Sequence, residues 1–174
     1  MMNESELKAT IREIPDYPKP GILFYDITTL LKDPEAYESL ITKIADSLRE
    51  LDIDVVIGPE ARGFVIGSAV AYAINAGFVV ARKPGKLPSE VYRLSYGLEY
   101  GSDSLEIHKD AIKPGQRVAI VDDLLATGGT ALATIKLAEE VGAKVVAARF
   151  AIELSDLMGR EKLKDYDVQA VMTY

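Results

Sequence analysis

The spacing of apolar residues changes character several times along the chain. Leu7, Ile11 and Ile14 share one helical face, so a first helix is predicted from about Glu4 to Ile14, with Asn3 and Glu6 spaced for a capping box. Pro15, Pro18, Pro20 and Gly21 interrupt it before the run Ile22–Ile27. Asp33-Pro34 then supplies an N-cap and a first-turn proline, and Tyr37, Leu40, Ile41, Ile44, Leu48 and Leu51 stripe a second helix.

Beyond that point strands and helices alternate. A strand at Asp54–Ile57, a helix from about Gly63 to Asn75 and a strand at Phe78–Ala81 make one βαβ unit. A second runs through the strand Arg117–Val121, the helix Thr130–Val141 and the strand Val145–Glu153, with Gly142 ending its helix. A short helix near Ser155–Leu163 and a strand near Val168–Met172 complete the pattern. Strands that read as nearly unbroken apolar runs, each followed by a helix, imply a parallel sheet covered on both faces. The class is α/β, in a single domain spanning 1–174, with no internal repeat. The stretch between the units, Lys83 to Lys113, is rich in Gly, Pro, Tyr and charge, with strand-like pieces near Glu90–Leu94 and Ser104–Ile107. It reads either as a lid or as a plain β-hairpin.

Composition narrows the chemistry. The 174 residues carry 20 basic and 27 acidic side chains, a net charge of −7, which disfavours a general grip on nucleic acid or anionic lipid. With no Cys, disulfides, thiol nucleophiles and Cys-ligated metals are excluded. His108 is the only histidine, read as an exposed strand or loop residue, so multi-histidine metal sites are excluded too. The polar N-terminus Met1–Glu6 has no signal pattern and no apolar run is long enough for a membrane span, so the expected setting is the cytoplasm.

The segment Val118–Thr130 holds the strongest candidate chemistry. An apolar strand leads into Asp122 and Asp123 and then, through Ala126, Thr127, Gly128, Gly129 and Thr130, into a helix start. Glycines let backbone amides close on a ligand, and a helix start offers unpaired N–H groups to an anion. The absence of Lys after the glycines rules out a Walker A loop, and the spacing is not that of a dinucleotide fingerprint. Carboxylates repel phosphate but accept from hydroxyls, so a phosphate on the turn with a vicinal diol on the two acids describes a ribose 5-phosphate site. Elsewhere, Ala61 to Leu98 contains five basic residues (Arg62, Arg82, Lys83, Lys86, Arg93) against one acid (Glu90), an island suited to a polyanion.

The Val121–Thr130 wording resembles the phosphoribosyl-pyrophosphate motif of the type I phosphoribosyltransferases, in the form found in adenine phosphoribosyltransferases. Pro20–Ile27, Gly58–Phe64, Arg82–Pro88 and Leu98–Gly101 resemble that family too, in its order, so the likeness covers nearly the whole chain.

The resemblance implies a twisted, mostly parallel sheet flanked by helices, with a small hood from about 5–30 and 154–174 and a flexible lid at about 83–101. It implies purine salvage, in which phosphoribosyl pyrophosphate and adenine give AMP and pyrophosphate, carried out with Mg²⁺ by a homodimer. Leu23, Phe24, Tyr25 and Leu154 would surround the base, and Tyr25 stands where the family often has Arg. Arg62, Arg82, Lys83 and Lys86 would meet pyrophosphate, near a cis peptide at Glu60-Ala61. Asp122 and Asp123 would place the ribose diol and are the chain's candidate contacts to Mg²⁺. Glu99 would assist proton movement on the purine, with Tyr100 a substrate contact beside it. The alternatives are a phosphoribosyltransferase for another base and a non-catalytic sensor of phosphoribosyl pyrophosphate.

Overall fold

The apolar runs become the strands β3 (Val55–Pro59), β4 (Gly77–Ala81), β7 (Arg117–Leu125), β8 (Lys144–Glu153) and β9 (Val168–Thr173). In this computed structural model, which describes residues 1–97 and 102–174, they form one parallel sheet in the order β4-β3-β7-β8-β9. Its strands are connected through α4 (Arg62–Ala73) on one side and α5 (Gly129–Glu140) on the other, the α/β architecture expected. Because β3 leads outward to β4 and β7 leads the opposite way to β8, the strand order reverses between β3 and β7. A crevice opens at such a reversal, beyond the carboxyl ends of the strands.

Alternate residues of the central strands feed two separate cores. Val55, Ile57, Val118 and Ile120 pack with α5 and the hairpin of β5 (Val91–Gly97) and β6 (Ser102–His108). Val56, Ala119 and Val121 pack on the other face with α1 (Glu4–Thr10), α2 (Thr28–Leu31), α3 (Pro34–Asp46) and α4. The capping box of α1 is present, and the Asp33 side chain accepts from the Ala36 amide at 2.9 Å to start α3.

Several boundaries differ from expectation. Helix α1 stops at Thr10 rather than Ile14, because Arg12–Pro15 forms a strand, β1, antiparallel to β2 (Leu23–Asp26). A local helical period cannot reveal that a segment beyond three prolines will offer it a partner. The second helix ends at Asp46, with Arg49–Leu51 a separate 3₁₀ turn. Strand β7 runs on through both acids to Leu125. The predicted Ser155–Leu163 helix is a 3₁₀ turn, Ser155–Leu157, followed by α6 (Gly159–Lys162). Met158 separates them at a φ of 53°. His108 is half-buried, with Nε2 shielded and unpartnered among the described residues.

Candidate active site

Two cavities open side by side at the carboxyl ends of β3 and β7. The first, about 250 Å³, lies between Glu60–Arg62 after β3 and the Asp122–Ala131 segment, which runs from the end of β7 into α5. The second, about 160 Å³, lies beneath β2 and is walled by Ile22, Leu23, Phe24, Tyr25, Ile152 and Leu154. Arg62, Asp123 and Leu124 line both.

The floor of the first cavity is the turn that joins β7 to α5. Gly128 caps α5 at a φ of 80°, a conformation that glycine enters without strain. The amides of Thr127 to Ala131 donate to no acceptor among the described residues, so they are available to an anion. Tyr96 of the hairpin covers the turn, its hydroxyl 3.3 Å from Thr130 Oγ1. A side-chain atom added at Gly129 would meet the Tyr96 ring only at ordinary contact distance, 3.5 Å. Gly128, not Gly129, is therefore the sterically closed position of the turn.

Asp122 and Asp123 are both buried, and the Asp123 amide donates to Asp122 Oδ1 at 2.8 Å. Burial, and then the neighbouring Asp123 charge, hold the Asp122 carboxyl well above the usual carboxylate range. Arg62 donates from Nε to Asp123 Oδ2. Burial works against its charge, but the two acids outweigh that and raise its pKa. Among the described residues no group of three or more His, Asp or Glu could hold a metal ion unaided. Two acids beside a turn of free amides are the donor set that would fit a Mg²⁺ ion taking its remaining ligands from oxygens of a bound molecule.

All of the basic island but Lys86 is already paired among the described residues. Glu60, whose peptide bond to Ala61 is cis, accepts from the Lys83 amide and from Arg82 Nη2, the latter at 3.3 Å. Burial opposes the Glu60 charge, yet these bonds and the nearby Lys86 keep its pKa below the ordinary value. Lys83 Nζ bonds Asp103 on β6. The buried Glu106 takes Arg93 Nε at 2.7 Å and the Gly85 amide at 3.1 Å. Lys86 is exposed and lines neither cavity. The hairpin is also better anchored than its polar sequence suggests, since Tyr92, Leu94 and Tyr96 pack on the core. Glu99 and Tyr100 lie outside the described residues.

The second cavity is braced by aromatic contacts. The Tyr25 ring lies 4.0 Å from that of Tyr174, tilted by 35°, and Phe24 meets Tyr17 edge-on at 5.1 Å. Glu60 enters sequence reasoning only as half of the cis peptide, and Leu124, Ile152 and Tyr174 are not singled out by it. Leu124 could have been, from its place beside Asp123, whereas Tyr174 has no local signal of a role.

Comparison with known proteins gives the following likenesses. The family model described as a phosphoribosyl transferase domain matches residues 26–172. The adenine phosphoribosyltransferase of Alkaliphilus metalliredigens is 61% identical over 168 residues, 97% of this chain and 99% of its own length. That of Acidobacterium capsulatum is 55% identical over 173 residues, covering 99% and 96%. Among solved structures, the adenine phosphoribosyltransferase of Thermoanaerobacter pseudethanolicus superposes with a TM-score of 0.96 at 52% identity, covering 99% of this chain and 100% of that one. The Saccharomyces cerevisiae enzyme, complexed with an imino-altritol bisphosphate and adenine, gives 0.92 at 41% identity, with 97% of each chain covered.

Proposed function

The chain belongs to the adenine phosphoribosyltransferases of the phosphoribosyl transferase family, and from that premise we propose how its two cavities divide the reaction. The activity is purine salvage: the phosphoribosyl group of phosphoribosyl pyrophosphate passes to adenine, giving AMP and pyrophosphate. The observation that carries the assignment of roles is the adjacency of a polar cavity floored by free amides and an apolar slot, joined at Arg62 and Asp123.

In this reading Ala126–Thr130 seats the 5-phosphate, with Thr127 and Thr130 adding hydroxyl donors to the amides. Asp122 and Asp123 orient the ribose diol. Leu23, Phe24, Tyr25 and Leu154 sandwich the adenine, which needs apolar faces and backbone partners at its edge. Arg62 leaves Asp123 for the incoming pyrophosphate, freeing that carboxylate for the ribose hydroxyls. Arg82, Lys83 and Lys86 bring further positive charge to the same group. Mg²⁺, when bound near Asp122 and Asp123, neutralises charge on the leaving pyrophosphate.

The bond from the ribose anomeric carbon to pyrophosphate breaks with its electron pair going to pyrophosphate, and a purine ring nitrogen attacks the opposite face. Glu99 takes the proton that this nitrogen loses, and Tyr100 contacts the substrate beside it. Positioning and fixed charge supply most of the acceleration.

The same reading takes the chain as one domain, 1–174, with the hood at about 5–30 and 154–174 and the lid at about 83–101. It includes a homodimer, supported by the outward face of α4, where Val65 and Tyr72 are 44% and 89% exposed. Its setting is the cytoplasm, because phosphoribosyl pyrophosphate is too highly charged to cross a bilayer unaided.

A phosphoribosyl-transfer assay offering adenine, guanine, hypoxanthine and orotate tests the function. Product with adenine alone supports it, and product with another base but not adenine overturns it.

A further inference from the structure

Behind the phosphate turn lies the backbone of a segment from the far end of the chain. Met158, at a φ of 53°, turns the chain so that Gly159 faces the turn edge to edge. A side-chain atom at Gly128 would lie 2.5 Å from the Gly159 carbonyl oxygen, and one at Gly159 would lie 2.9 Å from the Gly128 nitrogen. It would also overlap the Ala126 carbonyl. The two backbones are in contact with no room for a methyl group on either side.

Gly159 cannot retreat. On one side the Met158 amide bonds the Ser155 carbonyl at 3.0 Å, and the Ser155 amide and hydroxyl bond the Tyr174 carbonyl at 2.9 Å and 2.7 Å. On the other, Arg160 donates from Nε to Glu153 at 3.0 Å and from Nη1 to the Val168 carbonyl at 2.7 Å, and Leu163 is fully buried. The same segment begins at Leu154, which lines the apolar cavity.

We propose that Gly159 is a positioning residue for the ribose 5-phosphate seat: its backbone fixes the path of Ala126–Gly128 and so the aim of the turn's amides. The role rests on the reading of Ala126–Thr130 given above. Gly159→Ala displaces the turn while leaving Arg62, Arg82 and Lys83, on the pyrophosphate side, where they are.

Titration calorimetry with the two halves of the substrate tests this, using ribose 5-phosphate in one series and pyrophosphate with Mg²⁺ in the other. In Gly159→Ala, shown to be folded by circular dichroism, the dissociation constant for ribose 5-phosphate rises at least about tenfold, since small displacements of binding groups are costly. That for pyrophosphate is unchanged. Equal weakening of both, or unaltered ribose 5-phosphate binding, overturns the proposal. If Gly159→Ala does not fold, Arg160→Gln decides by the same readouts, because it removes the Glu153 anchor without adding an atom at the contact. A wild-type protein that binds no ribose 5-phosphate overturns the underlying reading of the turn instead.

Discussion

Arg62 bonds Asp123 where the polar and apolar cavities meet, so a single ion pair forms part of the wall of both. The pair holds an acid and a base together at that junction. In the reading proposed above, it opens when pyrophosphate takes the guanidinium.

Arg62→Gln therefore lowers turnover by about 10²-fold, the usual loss when one donor to a developing negative charge is removed. Stability changes by no more than about 1 kcal/mol, because the Arg62 side chain is 48% exposed and water screens the pair. Steady-state kinetics and thermal melts measure the two effects separately. A large loss of melting temperature with turnover intact would reverse the assignment.

The turn makes a sharper steric prediction. Gly128→Ala forces a side chain into the left-handed region, costing about 1–2 kcal/mol before the overlap with Gly159 is counted. Gly129→Ala meets only the Tyr96 ring at 3.5 Å and should leave the melting temperature nearly unchanged. Parallel melts of the two variants give the comparison.

Glu99→Gln should reduce turnover by about 10²–10⁴-fold while the adenine Michaelis constant stays close to wild type, because the amide keeps its shape but takes no proton. Wild-type turnover in this variant would remove the proton-transfer role and leave the rest of the site standing.

Tyr174, packed against Tyr25, provides a pH signature for the apolar cavity's wall. Burial, followed by the charges of Tyr25, Glu13 and Glu4, pushes its hydroxyl from 10.0 up to about 12. The fold then keeps this proton after the unfolded chain has lost it, so the contribution is complete below pH 10.0 and disappears as pH rises to about 12. Tyr174→Phe lacks this transition, and its melting temperature should fall less steeply than that of wild type over the same window. Melts across that range are the measurement, and parallel slopes would refute the prediction.

The parts of the molecule written in contiguous residues were legible in the sequence. Strand, acids, glycine turn and helix start follow one another from Val118 to Thr130, so local rules suffice to place them. What was hidden depends on partners far along the chain. Arg82, Lys83 and Arg93 read as part of a basic island with Glu90 its one acid, yet Glu60, Asp103 and Glu106 reach them from other segments. Arg12–Pro15 became a strand because Leu23–Asp26 lay across from it. Gly159 falls unmarked inside the predicted Ser155–Leu163 helix, since only the folded chain brings it against Gly128.

The division of the core bears on base selectivity. Tyr25, Leu124 and Leu154, which shape the apolar slot, pack on the α1–α4 side of the sheet, whereas Tyr96 and Ala131, at the phosphate turn, pack on the α5 side. Under the roles proposed above, a substitution that reshapes the slot falls mainly on one core and a substitution at the turn mainly on the other. Base selectivity can then be altered with the sugar-phosphate seat kept, one wall at a time.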